Sequence, residues 1–142
     1  MIDTPRYKRP ESVLVLVCTR QGDVLLMERT RPHGFWQSVT GSLRWDEQAP
    51  AAARRELFEE TGLRAGQGLV DLKRDAVFPI KPLWRARYAP EVRHNREHWF
   101  VFELPDRRMV RLSPSEHRQY RWWPIGEALR RASSWTNRDL IR

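Results

Sequence analysis

The chain has 142 residues, a mass of 17.0 kDa and 40% hydrophobic residues, which predicts one globular domain over residues 1–142 and not a disordered tail. The longest apolar run, Val13 to Cys18, is far shorter than the roughly 20 residues of a membrane span. No membrane helix and no membrane partner is therefore predicted. The single cysteine, Cys18, rules out an intrachain disulfide and fits a reducing, cytoplasmic location.

Charge is unevenly distributed along the chain. The net charge is +8, and only three of the 26 basic residues are lysines. Between Gly41 and Leu63, however, five acids face three arginines, a local balance of −2. Arginine binds phosphate through a planar fork of N–H donors, and carboxylates bind hard cations. An acidic segment in a basic protein is what a metal–polyphosphate site requires, although an ordinary acidic helix face would have the same composition.

The first half of the chain predicts a hairpin followed by a helix. Val13–Thr19 is apolar and β-branched, as in a buried strand, and Val24–Arg29 returns after a Gln-Gly-Asp turn. Trp36–Val39 is a candidate short strand. Ala49–Thr61 predicts a helix, because Pro50 suits a first turn and three alanines follow it. Gly62 is placed to end that helix in a left-handed conformation.

The second half predicts several short strands and two final helices. The strand-like runs are Leu69–Leu72, Ala76–Phe78, Arg85–Tyr88, His98–Leu104 and Tyr120–Trp123. Ile125–Ala132 predicts a helix, and Thr136 with Asp139 resembles the capping box of a last one. One helix among many strands, with helices at the end, predicts a mixed α/β or α+β fold.

Three glutamates occupy one turn of the helix predicted over Ala49–Thr61. Glu56, Glu59 and Glu60 stand at positions i, i+3 and i+4, so their side chains lie on adjoining faces. Like charges at this spacing destabilise a helix unless a cation lies between them. Glu47 can reach the same cation if its loop folds back, and Arg55 can orient a carboxylate. Taken alone, such a segment is more often a solvated helix surface.

The flanking residues change that interpretation. Gly41 to Leu63 fits G-x5-E-x7-R-E-U-x-E-E-x-G-U at every specified position, where U is aliphatic. Average residue usage gives a chance match on the order of 10⁻⁸ for a chain of this length. This pattern is the Nudix box, and the chain resembles the Nudix hydrolases. The resemblance implies a mixed β-sheet sandwiched between α-helices and hydrolysis of a diphosphate linkage with Mg²⁺ or Mn²⁺.

The resemblance also implies roles for the box residues. Glu56 and Glu60 match the main metal ligands, and Glu59 and Glu47 match supplementary ones. Arg55 matches the residue that orients the cluster, and Glu59 is also a candidate base.

Segments outside the box resemble a narrower group, the bacterial dihydroneopterin triphosphate pyrophosphatases. The matching segments are Tyr7–Pro10, Phe35–Ser42, Arg87–Pro90, Trp99–Phe100, Glu116–His117 and Ser134–Arg138. The resemblance implies conversion of a small-molecule triphosphate, dihydroneopterin triphosphate, to its monophosphate and pyrophosphate, an early step toward folate. It also implies that Glu116 binds metal and is the leading candidate for the general base.

Residues for substrate contact follow from the same resemblance. Lys8, Arg29, Thr40 and Ser134 are candidates for polar contacts, and Phe78 and Trp135 are the favoured walls for a flat pterin ring. Phe35 and Trp36 are further aromatic candidates, although most of the seven tryptophans must serve packing. Ser134 could equally cap the last helix.

Two alternatives remain open at this point. A house-cleaning pyrophosphatase for (deoxy)nucleoside triphosphates would use the same box on a similarly shaped substrate. A non-catalytic or RNA-binding module would explain the positive charge, but it would have no need of every box glutamate. No stable nucleic-acid partner is therefore expected.

Overall fold

The computed structural model describes residues 7–66 and 68–142 of the chain. It contains seven strands, three α-helices and a 3-10 helix over Pro82–Arg87 in these ranges. The strands are β1 (Glu11–Thr19), β2 (Asp23–Arg29), β3 (Trp36–Gln37), β4 (Val39–Ser42), β5 (Leu69–Pro79), β6 (His94–Leu104) and β7 (His117–Pro124). The helices are α1 (Ala49–Thr61), α2 (Ile125–Arg131) and α3 (Trp135–Ile141).

All seven strands belong to one mixed sheet. Its main order is β3-β2-β1-β6-β5, with β4 also paired to β1 and β7 to β2. Only the β1–β6 pair is parallel; the other described pairs are antiparallel. Helix α1 packs on one face of the sheet, and α2 and α3 pack on the other. The predicted fold class, a mixed sheet between helices, is confirmed.

Strand β1 is apolar at successive positions because both of its faces are buried. Val13, Val15 and Val17 point toward α1 and join one core, whereas Leu14 and Leu16 point toward α2 and α3 and join another. A strand covered on both sides lacks the alternation of a half-exposed strand, so the unbroken apolar run is its expected signature.

The predicted hairpin is confirmed, and the predicted short strand is divided in two. Cys18 of β1 pairs with Val24 of β2. The segment after the hairpin first pairs with β2 as β3 and then, beyond Ser38, with β1 as β4. Asn137 of α3 fixes this change of partner, since its Oδ1 accepts from the Ser38 N–H at 2.7 Å and its Nδ2 donates to the Ser38 hydroxyl at 2.9 Å.

Helix α1 has the bounds that the sequence predicts. Pro50 stands in its first turn, and Gly62 ends it with φ of 75° while its N–H donates to the Phe58 carbonyl at 2.8 Å. Ala52, Ala53 and Leu57 are buried against the sheet. Glu56 and Glu60 are buried as well, and the Glu56 carboxylate lies against Gly41 of β4.

Four of the predicted elements are wrong in detail. Arg85–Tyr88 is not a strand, because Pro82 opens a 3-10 helix that runs to Arg87. The two short strands predicted within residues 69–78 form one strand, β5, whose register shifts between Asp71 and Arg74. The last helix begins at Trp135, with Ser134 instead of Thr136 as its N-cap.

Within the described residues, no helix combines the length and the hydropathy that crossing a membrane requires.

The Ser38–Asn137 contact predicts a stability effect. Asn137→Ala leaves the buried Ser38 N–H and hydroxyl without these partners, and an unsatisfied buried polar group costs about 1–3 kcal/mol. We expect the free energy of unfolding in urea to fall by that amount. Asp139→Ala, on the more exposed side of the same helix, is the control and should change it by under about 0.5 kcal/mol. Equal losses in the two variants would contradict this role for Asn137.

Candidate active site

Arg55 holds the carboxylates of the box in place. Its Nε and Nη2 donate to both Glu47 oxygens at 2.8 and 2.7 Å, and Nη1 donates to Glu56 at 2.7 Å and to Glu59 at 3.2 Å. Nη2 also donates to the Ser42 carbonyl at 3.1 Å. The Arg55 guanidinium lowers the pKa of the Glu47 carboxyl to about 2. The loop before α1 therefore does fold back, and its ion pair with Arg55 orients the carboxylates.

Gly41 leaves room for the Glu56 carboxylate. In β4 it pairs with Val13, on the face of the sheet that α1 covers. A Cβ built on Gly41 would overlap the carboxyl group of Glu56. The box needs glycine here because a side chain would occupy the volume of a site carboxylate, not because of an unusual φ.

Glu60 is a buried carboxylate without a hydrogen-bond partner. Its side chain is 1% exposed, and within the described residues neither of its oxygens has a partner of normal geometry. Burial raises its pKa well above the ordinary range, and neighbouring Glu56 raises it further. The closest cationic candidate, Nε2 of His117, is 3.9 Å from Oε1, and burial lowers the pKa of His117 to about 4. This unpaired acid beside a second acid is an environment that a cation would stabilise.

Glu116 joins this group from a distant part of the sequence. It precedes β7, and its backbone carbonyl accepts from the Thr30 N–H at 2.9 Å, which holds it next to the end of β2. Its pKa is raised by partial burial and then by the charges of Glu56 and Glu59. The fold thus places Glu116 in the electrostatic environment of the box, although more than fifty residues separate them in sequence.

A cleft of about 850 Å³ opens beside these acids. Its basic side contains Lys8, Arg29 and Arg87. The backbone N–H of Lys8 donates to the backbone carbonyl of Arg87 at 2.9 Å, and this bond places the N-terminal segment beside the end of the 3-10 helix. The pKa of Lys8 is lowered by burial and then by Arg87 and Arg29. Three mutually repelling cations at one wall favour a polyanion as their ligand.

The register of β2 helps to place Arg29. Pairing with β7 shifts between Glu28 and Arg29, so Arg29 lies opposite His117, next to Glu116. Such an irregularity re-aims a side chain at the end of a strand. The Arg29 guanidinium lies 5.5 Å from the centre of the Trp84 ring.

Aromatic rings line the other parts of the cleft. Phe78 of β5 and Trp135 of α3 meet edge to face with ring centres 6.4 Å apart. Phe35 and Trp84 form a second such pair at 5.7 Å. Trp36, an aromatic candidate from the sequence, instead packs on Trp123 at 4.8 Å.

Most of the residues expected at the site are brought together. The candidates that line the cleft are Lys8, Arg29, Phe35, Thr40, Glu56, Phe78, Glu116, Ser134 and Trp135. Arg55, Glu59 and Glu60 lie around Glu56 without lining the cleft. The Thr40 hydroxyl already donates to the Val13 carbonyl at 2.8 Å, so that hydrogen is engaged within the sheet. Ser134 accepts from the Asn137 N–H at 3.1 Å and therefore caps α3.

Sequence reasoning missed several polar residues of the cleft. Asn95 and Glu97 line it from β6, but the predicted strand began only at His98. The available signal was the alternation of Asn95, Glu97 and Trp99, which points all three toward the same face. Lys81 and Trp84 were missed because their segment carries no recognisable periodicity.

The residues fit a divalent cation that also binds substrate. In residues 7–66 and 68–142, no group of three or more Asp, Glu, His or Cys side chains is arranged to hold a metal ion by itself. Magnesium commonly uses only one or two protein carboxylates and completes its coordination with phosphate and water. The unpaired oxygens of Glu60, next to Glu56 and Glu116, are hard donors of this kind.

Comparison with known proteins agrees with this geometry. The NUDIX domain model matches residues 8–142. The chain therefore belongs to the Nudix hydrolase family, whose members generally use divalent metal ions.

Curated relatives within the family are also similar over most of their length. Dihydroneopterin triphosphate diphosphatase of Escherichia coli (strain K12) is 40% identical over 139 residues, covering 95% of this chain and 91% of that protein. The enzyme of the same name from Haemophilus influenzae is 36% identical over 141 residues, covering 96% and 88%. The solved structure of the E. coli dihydroneopterin triphosphate pyrophosphohydrolase matches with a TM-score of 0.89 and 39% identity, covering 96% of this chain and 95% of that one.

The contact between Gly41 and Glu56 predicts a loss of activity without a loss of fold. Gly41→Ala places a methyl group where the Glu56 carboxylate lies, and this flexible side chain must move away. We expect kcat for triphosphate hydrolysis to fall by about 10²-fold or more, because catalytic groups displaced by about 1 Å lose that much. The thermal midpoint should remain within a few degrees. Gly126→Ala is the matched control, since a Cβ there meets nothing within 4 Å; a similar loss of activity in both variants would argue against displacement of Glu56.

The ion pair of Glu47 with Arg55 predicts a pH-dependent stability difference. With a pKa of about 2 in the folded protein and an ordinary value of 4.5, the Glu47 carboxylate stabilises the fold fully above pH 4.5 and loses that effect as pH falls through 2. Glu47→Gln should therefore lower the free energy of unfolding by up to about 3 kcal/mol at pH 7, and by less than half of that at pH 3.

Urea unfolding at both pH values measures this difference. Asp46→Asn removes the same charge from the exposed neighbouring residue and serves as the control. A gap between wild type and Glu47→Gln that is the same at pH 7 and pH 3 would show that the ion pair is not its source.

Proposed function

We propose that the chain hydrolyses dihydroneopterin triphosphate to dihydroneopterin monophosphate and pyrophosphate. The observation that carries the proposal is one cleft in which Glu56 and Glu116, a basic wall and an aromatic pair adjoin one another. A triphosphate attached to a flat ring needs these three surfaces. The names and the extent of similarity of the curated relatives support the same substrate.

We propose Mg²⁺ as the metal, with Mn²⁺ as a possible substitute, and Glu56, Glu60 and Glu116 as the candidate ligands, of which one or two would bind each ion together with the substrate phosphates. Bound there, a divalent cation neutralises phosphate charge and lowers the pKa of water. Arg55 contributes by holding the Glu56 carboxylate in one orientation. Burial and the neighbouring Glu56 raise the pKa of Glu60, and a bound cation would favour its charged form instead.

Glu116 is the proposed general base, and Glu59 is the alternative. A base works best when its pKa lies near the working pH, and the pKa of Glu116 is raised by burial and by Glu56 and Glu59. Its carboxylate would accept the proton of the attacking water and later release it to solvent. Glu59 is less suited, because one of its oxygens accepts from Arg55.

Lys8 and Arg29 are proposed to bind the phosphates. Burial and mutual repulsion lower the pKa of both groups, so a phosphate chain between them removes an existing electrostatic cost. Phe78 and Trp135 would hold the ring. Thr40 and Ser134 line the same cleft and are proposed to contact the substrate there.

The second candidate is hydrolysis of ordinary or modified nucleoside triphosphates. The same basic wall and box acids would serve such a substrate, so the aromatic end of the cleft must discriminate. Stable binding of nucleic acid is not proposed, because the basic residues that line the cleft face the acids within it.

A direct comparison of substrates tests the proposal. Pyrophosphate release from dihydroneopterin triphosphate should show a kcat/KM at least about 10-fold above that for each of the eight common nucleoside triphosphates. Excess EDTA should abolish release, and added Mg²⁺ should restore it. Faster hydrolysis of any nucleoside triphosphate would favour the second candidate, and full activity in EDTA would exclude the metal-dependent mechanism.

The role of Glu116 predicts a specific kinetic change. Glu116→Ala should lower kcat by about 10²-fold or more, because general-base catalysis contributes 10²–10⁴-fold. The KM should change less, since the basic wall is retained. The acidic limb of the pH–rate profile should flatten as the titrating base disappears.

The control for Glu116→Ala is Glu91→Ala, which removes an exposed acid outside the cleft and should leave kcat and the profile unchanged. A Glu116→Ala enzyme with normal kcat and an unaltered profile would assign the base to the box, with Glu59 as the next residue to test.

A further inference from the structure

The α3 side of the cleft contains a carboxylate for which the mechanism has no use. Glu97 is 6% exposed and lines the cleft from the central strand β6. Its Oε1 accepts from the Trp99 indole N–H at 3.0 Å, and burial raises its pKa. No ion pair to it is found in the part of the chain that the structure describes. Thr136 is the other neutral side chain that donates to this carboxylate, and a buried acid with only neutral donors is costly unless further donors complete its shell.

A second acceptor lies beside it. Asn95 is two residues earlier on β6 and points to the same face of the sheet. Its Nδ2 donates to the Ser12 hydroxyl at 2.8 Å, whereas its Oδ1 is buried without a partner among the described residues. The Glu97 carboxylate and the Asn95 Oδ1 are therefore two neighbouring hydrogen-bond acceptors on the floor of the cleft. They favour a ligand that has N–H donors along one edge.

The aromatic pair stands next to this floor. Phe78 is the register partner of Asn95 on the adjacent strand, and its ring meets that of Trp135. Thr136, which follows Trp135, interacts with the Glu97 carboxylate. A planar heterocycle that packs on Phe78 and Trp135 would thus have one edge directed at Glu97 and Asn95.

We propose that Glu97, supported by Asn95, is the specificity-determining residue that binds the 2-amino-4-oxopyrimidine edge of the substrate ring. In that edge an exocyclic amino group and the adjacent ring N–H form a pair of parallel donors, which matches the two oxygens of a carboxylate. The edge is common to pterins and guanine and is absent from adenine, cytosine and uracil. This inference rests on the proposed function and deepens it, because it specifies how the ring is recognised.

The test compares substrates in a charge-removing variant. Glu97→Gln keeps an oxygen for the Trp99 indole but replaces one acceptor with an N–H donor that faces the ring. We expect kcat/KM to fall by about 10²-fold for dihydroneopterin triphosphate and for GTP, with little change for ATP, because a site built for substrate N–H groups is left with mismatched partners. Glu103→Gln makes the same change at an exposed position of the same strand and should leave all three values unaltered.

A binding measurement separates ring recognition from catalysis. Quenching of tryptophan fluorescence by neopterin and by guanosine monophosphate, in EDTA, should weaken in Glu97→Gln by about the same factor as kcat/KM. Glu97→Asp keeps the charge but withdraws it by one methylene, and it should bind with intermediate affinity. Inhibition of ATP hydrolysis by inorganic pyrophosphate should be unchanged in both variants if the acidic and basic parts of the cleft are intact.

The outcomes distinguish this inference from the proposed function. If wild type hydrolyses neither dihydroneopterin triphosphate nor GTP well, the proposed function fails, yet ring binding that Glu97→Gln abolishes still supports recognition by Glu97. Recognition by Glu97 is overturned if Glu97→Gln lowers the hydrolysis of ATP, GTP and dihydroneopterin triphosphate equally, or if it leaves all three unchanged. In either case the proposed function is judged from the wild-type data alone.

Discussion

The site depends on one arginine that lies among acids. Arg55 is 17% exposed and donates to Glu47, Glu56 and Glu59, so a single guanidinium fixes the loop before α1 and two carboxylates on the helix. Its positive charge offsets the repulsion between these like-charged side chains. Glu60 stays outside this network, and its buried oxygens have no hydrogen-bond partner among the described residues. Burial and Glu56 raise its pKa, so a cation beside it would favour its charged form. The arginine orients the carboxylates, and in the proposed mechanism the buried Glu60 contributes to binding the metal ion.

The residues that follow a local pattern were the ones that the sequence could predict. The spacing of Glu56, Glu59 and Glu60 is a property of one helix, and Gly62 ends that helix as its position indicates. The strand predicted at Arg85–Tyr88 was wrong because Pro82 begins a 3-10 helix that runs to Arg87. Glu116 could be assigned only by resemblance, since its proximity to Glu56 depends on the packing of β7 against β2 and on no local periodicity.

Glu97 and Asn137 show a different limit of sequence reasoning. The sequence does not show whether a polar residue is buried or exposed unless the strand boundaries and the element packed against it are known. Asn137 satisfies the backbone of Ser38, whereas Asn95 keeps an acceptor without a described partner. The two asparagines are chemically identical and nearly equally buried, so only the structure separates a residue that completes the fold from one that is available to a ligand.

The change of strand partner at Ser38 sets the number of residues that this segment can have. Val39 and Gly41 point toward α1, and Thr40 and Ser42 point away from it, because β4 alternates in register with β1. Inserting or deleting one residue between Ser38 and Gly41 would reverse those directions and place a side chain against the Glu56 carboxylate. A change of length here would therefore remove the space that the Glu56 carboxylate occupies.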